Sequence, residues 1–255
     1  MIADQGFSKS FAWQRICERW HLPLSFQFEI EHDAEVLRSE LDAVLADFQP
    51  QVQHGKYHDG GWKAVGLVAA NGDWSEDRLL PGAEYKATQA LDRAPRMREI
   101  IDNFPGEKRR VRLMNLKAGK SIFWHYDRTD SMDIHTARVH IPIVTSPDVR
   151  FQICHENHSW KPGEVWYGDF TFPHRLYNAG AEDRIHLVLD IIASSELESA
   201  APESFLARKK ERRILRRRAQ SAFHRWCLVN HNGSPRVHFA GWFKTWIRAN
   251  ESIPA

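Results

Sequence analysis

The sequence predicts a mainly β protein with flanking helices, and three observations carry that expectation. Between Arg109 and Ile192, short runs rich in β-branched and aromatic residues alternate with turn signals. No helical crossover separates the runs, which points to antiparallel pairing rather than βαβ units. On either side, the apolar spacing turns helical. A jelly roll meets this description, and so does an open antiparallel sandwich.

Taken in order, His32 to Phe48 reads as a helix. Val36, Leu37, Leu41, Val44, Leu45 and Phe48 recur at helical spacing, and Pro50 follows its end. Gly60 to Ala69 reads as a short strand, with turns at Asn71–Gly72 and Pro81–Gly82 and a polar loop over 70–85. Lys86 to Asn103 holds one or two short helices around Pro95. Strands are expected near 109–117, 121–127, 136–145, 149–154, 163–168, 172–178 and 184–192. From Glu203 to Trp226 the chain lacks Pro and Gly and reads as one long helix. Asn230–Gly233 breaks it before a short amphipathic helix around Trp242, Phe243, Trp246 and Ile247.

A chain of 255 residues buries a substantial core as one large domain, or as one domain with an appendage. The net charge of +2 conceals a split: residues 1–195 carry 23 Lys/Arg against 28 Asp/Glu, whereas 196–255 carry 12 against 5. That basic tail invites a nucleic-acid or acidic partner without demanding one. Cys17, Cys154 and Cys227 lie far apart, form no disulfide framework and fit a reducing compartment. The first residues lack the pattern of a signal peptide, and no apolar run is long enough for a membrane span, so a cytoplasmic location is expected.

His125 and Asp127 stand two residues apart in IFWHYDRTD. On an extended strand they share one face. His174, in DFTFPHRLYN, lies on another expected strand that can bring a second imidazole to the pair. Two neutral imidazoles and a carboxylate on one side of a first-row ion leave the other positions open for an organic ligand and oxygen. Alone, so short a motif is also a common coincidence.

Arg184 stands in the otherwise apolar strand DRIHLVLDI. A buried guanidinium there needs either an internal acid or a bound carboxylate, and its fork suits the second bidentately. Arg138 and His140 alternate the same way in TARVHIPIV, facing either a cavity or solvent.

At these residues the chain resembles the aspartyl/asparaginyl beta-hydroxylase family, including relatives that hydroxylate free proline. The similarity runs from about Arg110 to Ile192 through LKAGKSIFWHYDRT, ARVHIPI, WKPGEVWYGDFTFPHRLYN and DRIHLVLDI, and GWKAVGLVAANG resembles the strand preceding the core in the proline hydroxylases. It implies a double-stranded β-helix (jelly-roll) core at about 109–192 within an oxygenase domain spanning 1–195, followed by a basic helical extension at 196–255. It also implies Fe(II), with 2-oxoglutarate and O2 as cosubstrates and succinate and carbon dioxide as coproducts. By the same resemblance, His125, Asp127 and His174 hold the metal, Arg184 binds the distal carboxylate of 2-oxoglutarate, and Arg138 with His140 help hold it. A serine that assists in the peptide hydroxylase is replaced here by Met114. Related halogenases lack the carboxylate ligand, so Asp127 points to hydroxylation, with ring closure and desaturation open to the same ligands.

A small amino-acid-like substrate is the leading expectation, its carboxylate received by Arg138, Arg175 or Arg128, with a peptide side chain close behind. Residues 128–135 are a candidate lid, and Trp124, Tyr126, Trp166 and Tyr167 are candidate walls or plain packing. Two other readings stand beside this one. One is a cupin-like metal protein. The other is nucleic-acid binding through Lys209 to Arg218, a helix that alternatively covers an acidic barrel wall or joins two copies of the chain.

Overall fold

The computed structural model describes residues 10–53, 57–76 and 78–229, so the expected helix around 242–247 lies outside the described residues. The described chain begins with helix α1 (Ala12–Glu18), strand β1 (Ser25–Glu31) and helix α2 (Ala34–Asp47). Strands β2 (Gln51–Val52), β3 (Trp62–Ala70) and β4 (Tyr85–Ala87) follow, then a 3-10 turn at Gln89–Arg93 and helix α3 (Pro95–Asn103). The core strands are β5 (Lys108–Leu116), β6 (Ser121–His125), β7 (Thr136–Val144), β8 (Val149–Ile153), β9 (Glu156–His158), β10 (Glu164–Gly168), β11 (His174–Asn178) and β12 (Arg184–Ile192). Helices α4 (Ser195–Ser199), α5 (Glu203–Leu206) and α6 (Lys209–Val229) complete it.

Two antiparallel sheets face each other. The larger runs β1-β10-β7-β12-β5-β3-β2, with β4 beside β3, and the smaller runs β6-β11-β8-β9. From β5 to β12 the chain repeatedly crosses from one sheet to the other, which is the winding of a double-stranded β-helix. The seven strands read from the sequence are present. The eighth, β9, is too short to register as a run. Strand β1 also escapes that reading: its alternation buries only Phe26 and Phe28 before ending in three exposed residues.

The helical layer forms for local reasons. Asp33 caps α2 by accepting from the backbone N–H groups of Glu35 and Val36, and Leu37, Leu41 and Val44 are buried. Val36, expected on this apolar stripe, is exposed. Glu40 turns inward instead, accepting from the N–H of Arg96 at 2.6 Å and of Met97 at 2.9 Å. It thereby satisfies the start of α3, whose own N-cap residue, Ala94, has no side chain to do so. Gly163 is needed where β1 meets α2: at φ +84°, a Cβ there would lie 2.2 Å from the carbonyl oxygen of His32.

The arginine-rich segment is two helices rather than one, because the chain breaks at residues 207–208. Its basic character is divided by the helical period. Lys210, Arg213, Arg217 and Arg218 are exposed, whereas Arg212 and Arg216 are buried with Leu215, Ala219, Ala222 and Phe223. Arg212 grips Asp133 with Nε at 2.8 Å and Nη2 at 3.2 Å. Arg216 donates to Asp169 at 3.0 Å, Ser131 at 3.1 Å and Thr171 at 2.6 Å. The segment at 128–135, a candidate lid in the sequence, is therefore bolted down: Asp130, Ser131 and Met132 are buried, and the N–H of Met132 donates to the hydroxyl of Tyr167 at 3.0 Å. Replacing Arg212 by Leu is expected to cost up to about 3–5 kcal/mol in urea unfolding, because it leaves the buried Asp133 carboxylate with only the 3.6 Å approach of Arg216. Adding Asp133→Asn is expected to restore most of that loss.

Candidate metal and cosubstrate site

The last residue of β6 and the first of β11 are His125 and His174, and the antiparallel register sets them directly opposite each other. Their rings lie 4.1 Å apart between centroids. Strand β6 ends at His125 rather than continuing to 127. Asp127 is instead fixed just beyond it, its N–H donating to the Phe170 carbonyl at 2.9 Å. One ligand atom from each of His125, Asp127 and His174 falls within 4.8 Å of the other two.

Backbone carbonyls orient both rings: His125 Nδ1 lies 2.8 Å from the Phe123 oxygen and His174 Nδ1 3.0 Å from the Phe172 oxygen. Each Nδ1 is thus the N–H donor, which leaves the Nε2 lone pair for a metal. Burial, reinforced by the neighbouring His174, lowers the His125 pKa to about 3, and burial also lowers that of His174. Burial alone would raise the Asp127 carboxyl, but Arg138 and the two imidazoles hold it below the ordinary aspartate range. Two neutral imidazoles and one ionised carboxylate are the protonation states a divalent ion requires, so the three residues fit Fe(II).

Sequence reasoning gives Arg138 to the cosubstrate, but the structure surrounds it with acids. Its guanidinium pairs with Asp127, Asp130 and Asp190, the last at 2.7 Å. Asp190 is in turn held by Arg110 at 2.8 Å and Arg112 at 3.0 Å. Arg138 therefore steadies the metal carboxylate from behind. This follows from register: Arg138 lies opposite Asp190 on β12, which also lies opposite Arg110 on β5.

Arg184 is the opposite case. It is buried, burial lowers its pKa to about 9, and among the described residues no carboxylate pairs with it. Its Nη2 donates to His186 Nδ1 at 2.9 Å, while its Nε, His186 Nε2 and both ring nitrogens of His140 lack hydrogen-bond partners. Several orphaned donors around an uncompensated cation are costly unless an anion completes them. Thr145, Ser146, Phe151, His158, Trp160 and His186 are among the residues that line a cleft with Arg184. Rings connect this cleft to the triad: His174 to Phe170 at 4.9 Å, Phe170 to His140 at 5.1 Å, and His140 to His186 at 5.5 Å.

A family model described as Aspartyl/Asparaginyl beta-hydroxylase matches residues 31–194, more than half of the chain. The chain belongs to the aspartyl/asparaginyl beta-hydroxylase family. Within that family, its two-histidine, one-carboxylate centre makes it a non-haem Fe(II), 2-oxoglutarate-dependent dioxygenase. Solved structures of similar architecture include a 2OG-Fe(II) oxygenase-family oxidoreductase from Burkholderia pseudomallei, at 14% identity over 73% of this chain and 93% of that one, TM-score 0.46. A Pseudomonas putida prolyl-4-hydroxylase is also similar, at 14% identity over 72% of this chain and 100% of that one, TM-score 0.42. A viral collagen prolyl hydroxylase from Paramecium Bursaria Chlorella virus-1 matches at 10% identity over 68% and 97%, TM-score 0.41. Among the described residues, no helix is long and apolar enough to cross a membrane.

Sequence reading misses three groups in this hydroxylase-family site. Tyr57 stacks on His125 at 3.8 Å and 18°, although it lies in the loop before β3. His158 lines the cleft from the end of the three-residue strand β9, and Ser146 from the connection between β7 and β8. None belongs to a periodic run, so no local signal marks them.

The buried histidines also set a pH dependence. Burial lowers His158 to about 3 and lowers His140 and His186 well below the ordinary value, whereas it raises Glu156 to about 7. The 3.4 Å approach of His158 to Glu156 is thus a neutral contact rather than an ion pair. At pH 8 these histidines are neutral in both folded and unfolded chains. As pH falls below 6.5, the unfolded chain takes up protons that the folded chain refuses, and stability drops. Each of these histidines therefore costs stability over that range, while Glu156, protonated only when folded, partly offsets the loss. Urea unfolding of the metal-free protein is expected to show a net loss of stability as pH falls from about 6.5 to 5.5, because the buried histidines, His125 and His174 included, outnumber the raised carboxyls of Glu156 and Asp130.

Proposed function

We propose that this dioxygenase hydroxylates a side chain carried by a peptide or protein. The observation that carries this reading is the engagement of Arg138 and Arg175, the two buried cations among the three a free amino acid would call on. Arg138 is taken up by three carboxylates. Arg175 donates to Gln152 at 2.7 Å and lies 4.6 Å over the Trp124 ring. A residue within a peptide has its carboxylate locked in an amide and does not call on these groups. The match of residues 31–194 to a family described by a peptide-residue reaction supports the same choice over a small amino-acid-like substrate.

Iron with 2-oxoglutarate and dioxygen supplies the oxidation of an unactivated C–H bond, releasing succinate and carbon dioxide. The chain's own part is binding and placement. His125, Asp127 and His174 hold the metal, Arg138 keeps Asp127 ionised and in place, and Arg184 with His186 receives the distal carboxylate of the cosubstrate. His140, between His186 and Phe170, offers a further donor along that path. The burial of Arg212 and Arg216 supports reading α6 as a brace for residues 128–135 and 169–172 rather than as a nucleic-acid surface.

The test is succinate release from Fe(II)-loaded protein offered peptide pools containing Asp, Asn or Pro, with free amino acids in parallel. A peptide that stimulates release and gains one oxygen atom supports the reading. Stimulation by a free amino acid alone would replace it with the small-substrate reading.

A further inference from the structure

A second group of metal-ligating side chains lies outside the iron triad. Cys17, near the end of α1, and Cys154 with His155, in the turn between β8 and β9, each bring one ligand atom within 4.8 Å of the other two. Both cysteines are completely buried and neither forms a disulfide. Two adjacent buried thiols are by themselves ordinary core residues. Three further observations set this pair apart.

His155 has a buried Nδ1 with no hydrogen-bond partner, the state of an imidazole short of one ligand. Cys154 sits at φ +53°, a strained conformation for a residue with a Cβ, and this places its thiol and the next imidazole in one cluster. Finally, the turn is clamped from both sides. The Cys154 N–H donates to the Pro173 carbonyl at 2.7 Å, and Gln14 of α1 donates to the Cys154 carbonyl at 2.7 Å. Ligands are therefore held before any ion arrives, and α1 and the turn cannot drift apart.

We propose that Cys17, Cys154 and His155 form a second metal site, taking a zinc-class divalent ion. Soft thiolates with one imidazole are a zinc donor set, and tetrahedral bonds of about 2.0–2.3 Å need ligand atoms gathered in this way around one point. Water or a side chain from the end of α1 or the turn after it completes the fourth position; Glu18 and His21 are the groups whose charges reach His155. On binding, each thiol S–H gives its proton to solvent as a sulfur–metal bond forms, so uptake strengthens with rising pH. The Cys154 thiol, which donates to the Trp13 carbonyl at 3.3 Å, exchanges that contact for the metal. The site ties α1 to the end of β8, where Ile153 lies opposite the iron ligand His174.

Cobalt(II) titration of the full, reduced, chelator-treated chain tests this directly, because the iron triad contains no sulfur. We expect a near-ultraviolet thiolate-to-cobalt charge-transfer band that saturates within about two equivalents, since the iron triad also takes the ion, that is displaced by zinc and that persists in Cys227→Ser. The band should vanish in Cys154→Ser, and His155→Ala, a partly exposed position, should weaken cobalt binding by at least about tenfold. Absence of the band from the unmodified chain, or its loss in Cys227→Ser, would overturn the site and leave Cys17 and Cys154 as a plain thiol contact. Should Cys154→Ser fail to fold, the parent spectrum and the His155→Ala affinity decide the matter.

Discussion

Replacing His174 by Ala is expected to abolish iron-dependent turnover. The imidazole is one of three ligands, it is buried, and its Nδ1 is committed to the Phe172 carbonyl, so no neighbour can take over its Nε2. Losing a group that merely supports a ligand costs about 10–100-fold in metal affinity or activity, and losing the ligand itself should cost at least the upper end of that range. Equilibrium dialysis of Fe(II) together with succinate release measures both effects. Retention of full iron affinity and turnover in a folded His174→Ala protein would remove the metal assignment. The ring is already neutral in the metal-free chain, so its loss leaves no stranded charge and the variant should still fold.

The second large effect belongs to Arg184. If Arg184 receives the distal carboxylate as proposed, Arg184→Leu removes a bidentate, charge-assisted contact worth about 3–4 kcal/mol, and 2-oxoglutarate affinity is expected to fall by about 10²–10³-fold with Fe(II) binding unchanged. Stability should move the other way. Because Arg184 is buried without a carboxylate partner among the described residues, replacing it with an apolar side chain relieves an uncompensated charge, and the cosubstrate-free protein should melt higher. A guanidinium that served only an internal ion pair would give the reverse pattern, a lower melting point and unchanged cosubstrate affinity. Isothermal titration with 2-oxoglutarate and thermal unfolding of the same two proteins therefore separate binding from scaffolding.

Arg184 and Arg138 look alike in the sequence: each precedes a histidine by two positions in an apolar strand. Their environments differ because strand pairing differs. Arg138 faces Asp190 across β7 and β12, and the loop after β6 adds Asp127 and Asp130. Arg184 faces Leu116 across β12 and β5 and, among the described residues, meets no acid. Alternation along one strand shows which residues share a face, but not which charge stands across from them. Candidate substrate arginines shrink for the same reason.

The arginine-rich tail shows a second limit. Its composition suggests a solvated, phosphate-seeking surface. The burial of Arg212 and Arg216 depends on Asp133 and Asp169, 79 and 47 residues away in sequence and invisible to any local window. Residues 128–135 changed from candidate lid to fixed support through the same contacts.

Local pattern settled the mainly antiparallel core, seven of its eight strands and the pairing of His125 with Asp127 on one face, because a period of two and a two-residue spacing are properties of neighbouring residues, whereas His174 joined them in the sequence only through the family resemblance. Folding in three dimensions decided the partners: which imidazole opposes which, which guanidinium is neutralised and which is left waiting, and which thiols meet. Those choices rest on register and on contacts between distant segments, where a buried charge is stable only if something far along the chain, or a ligand, completes it.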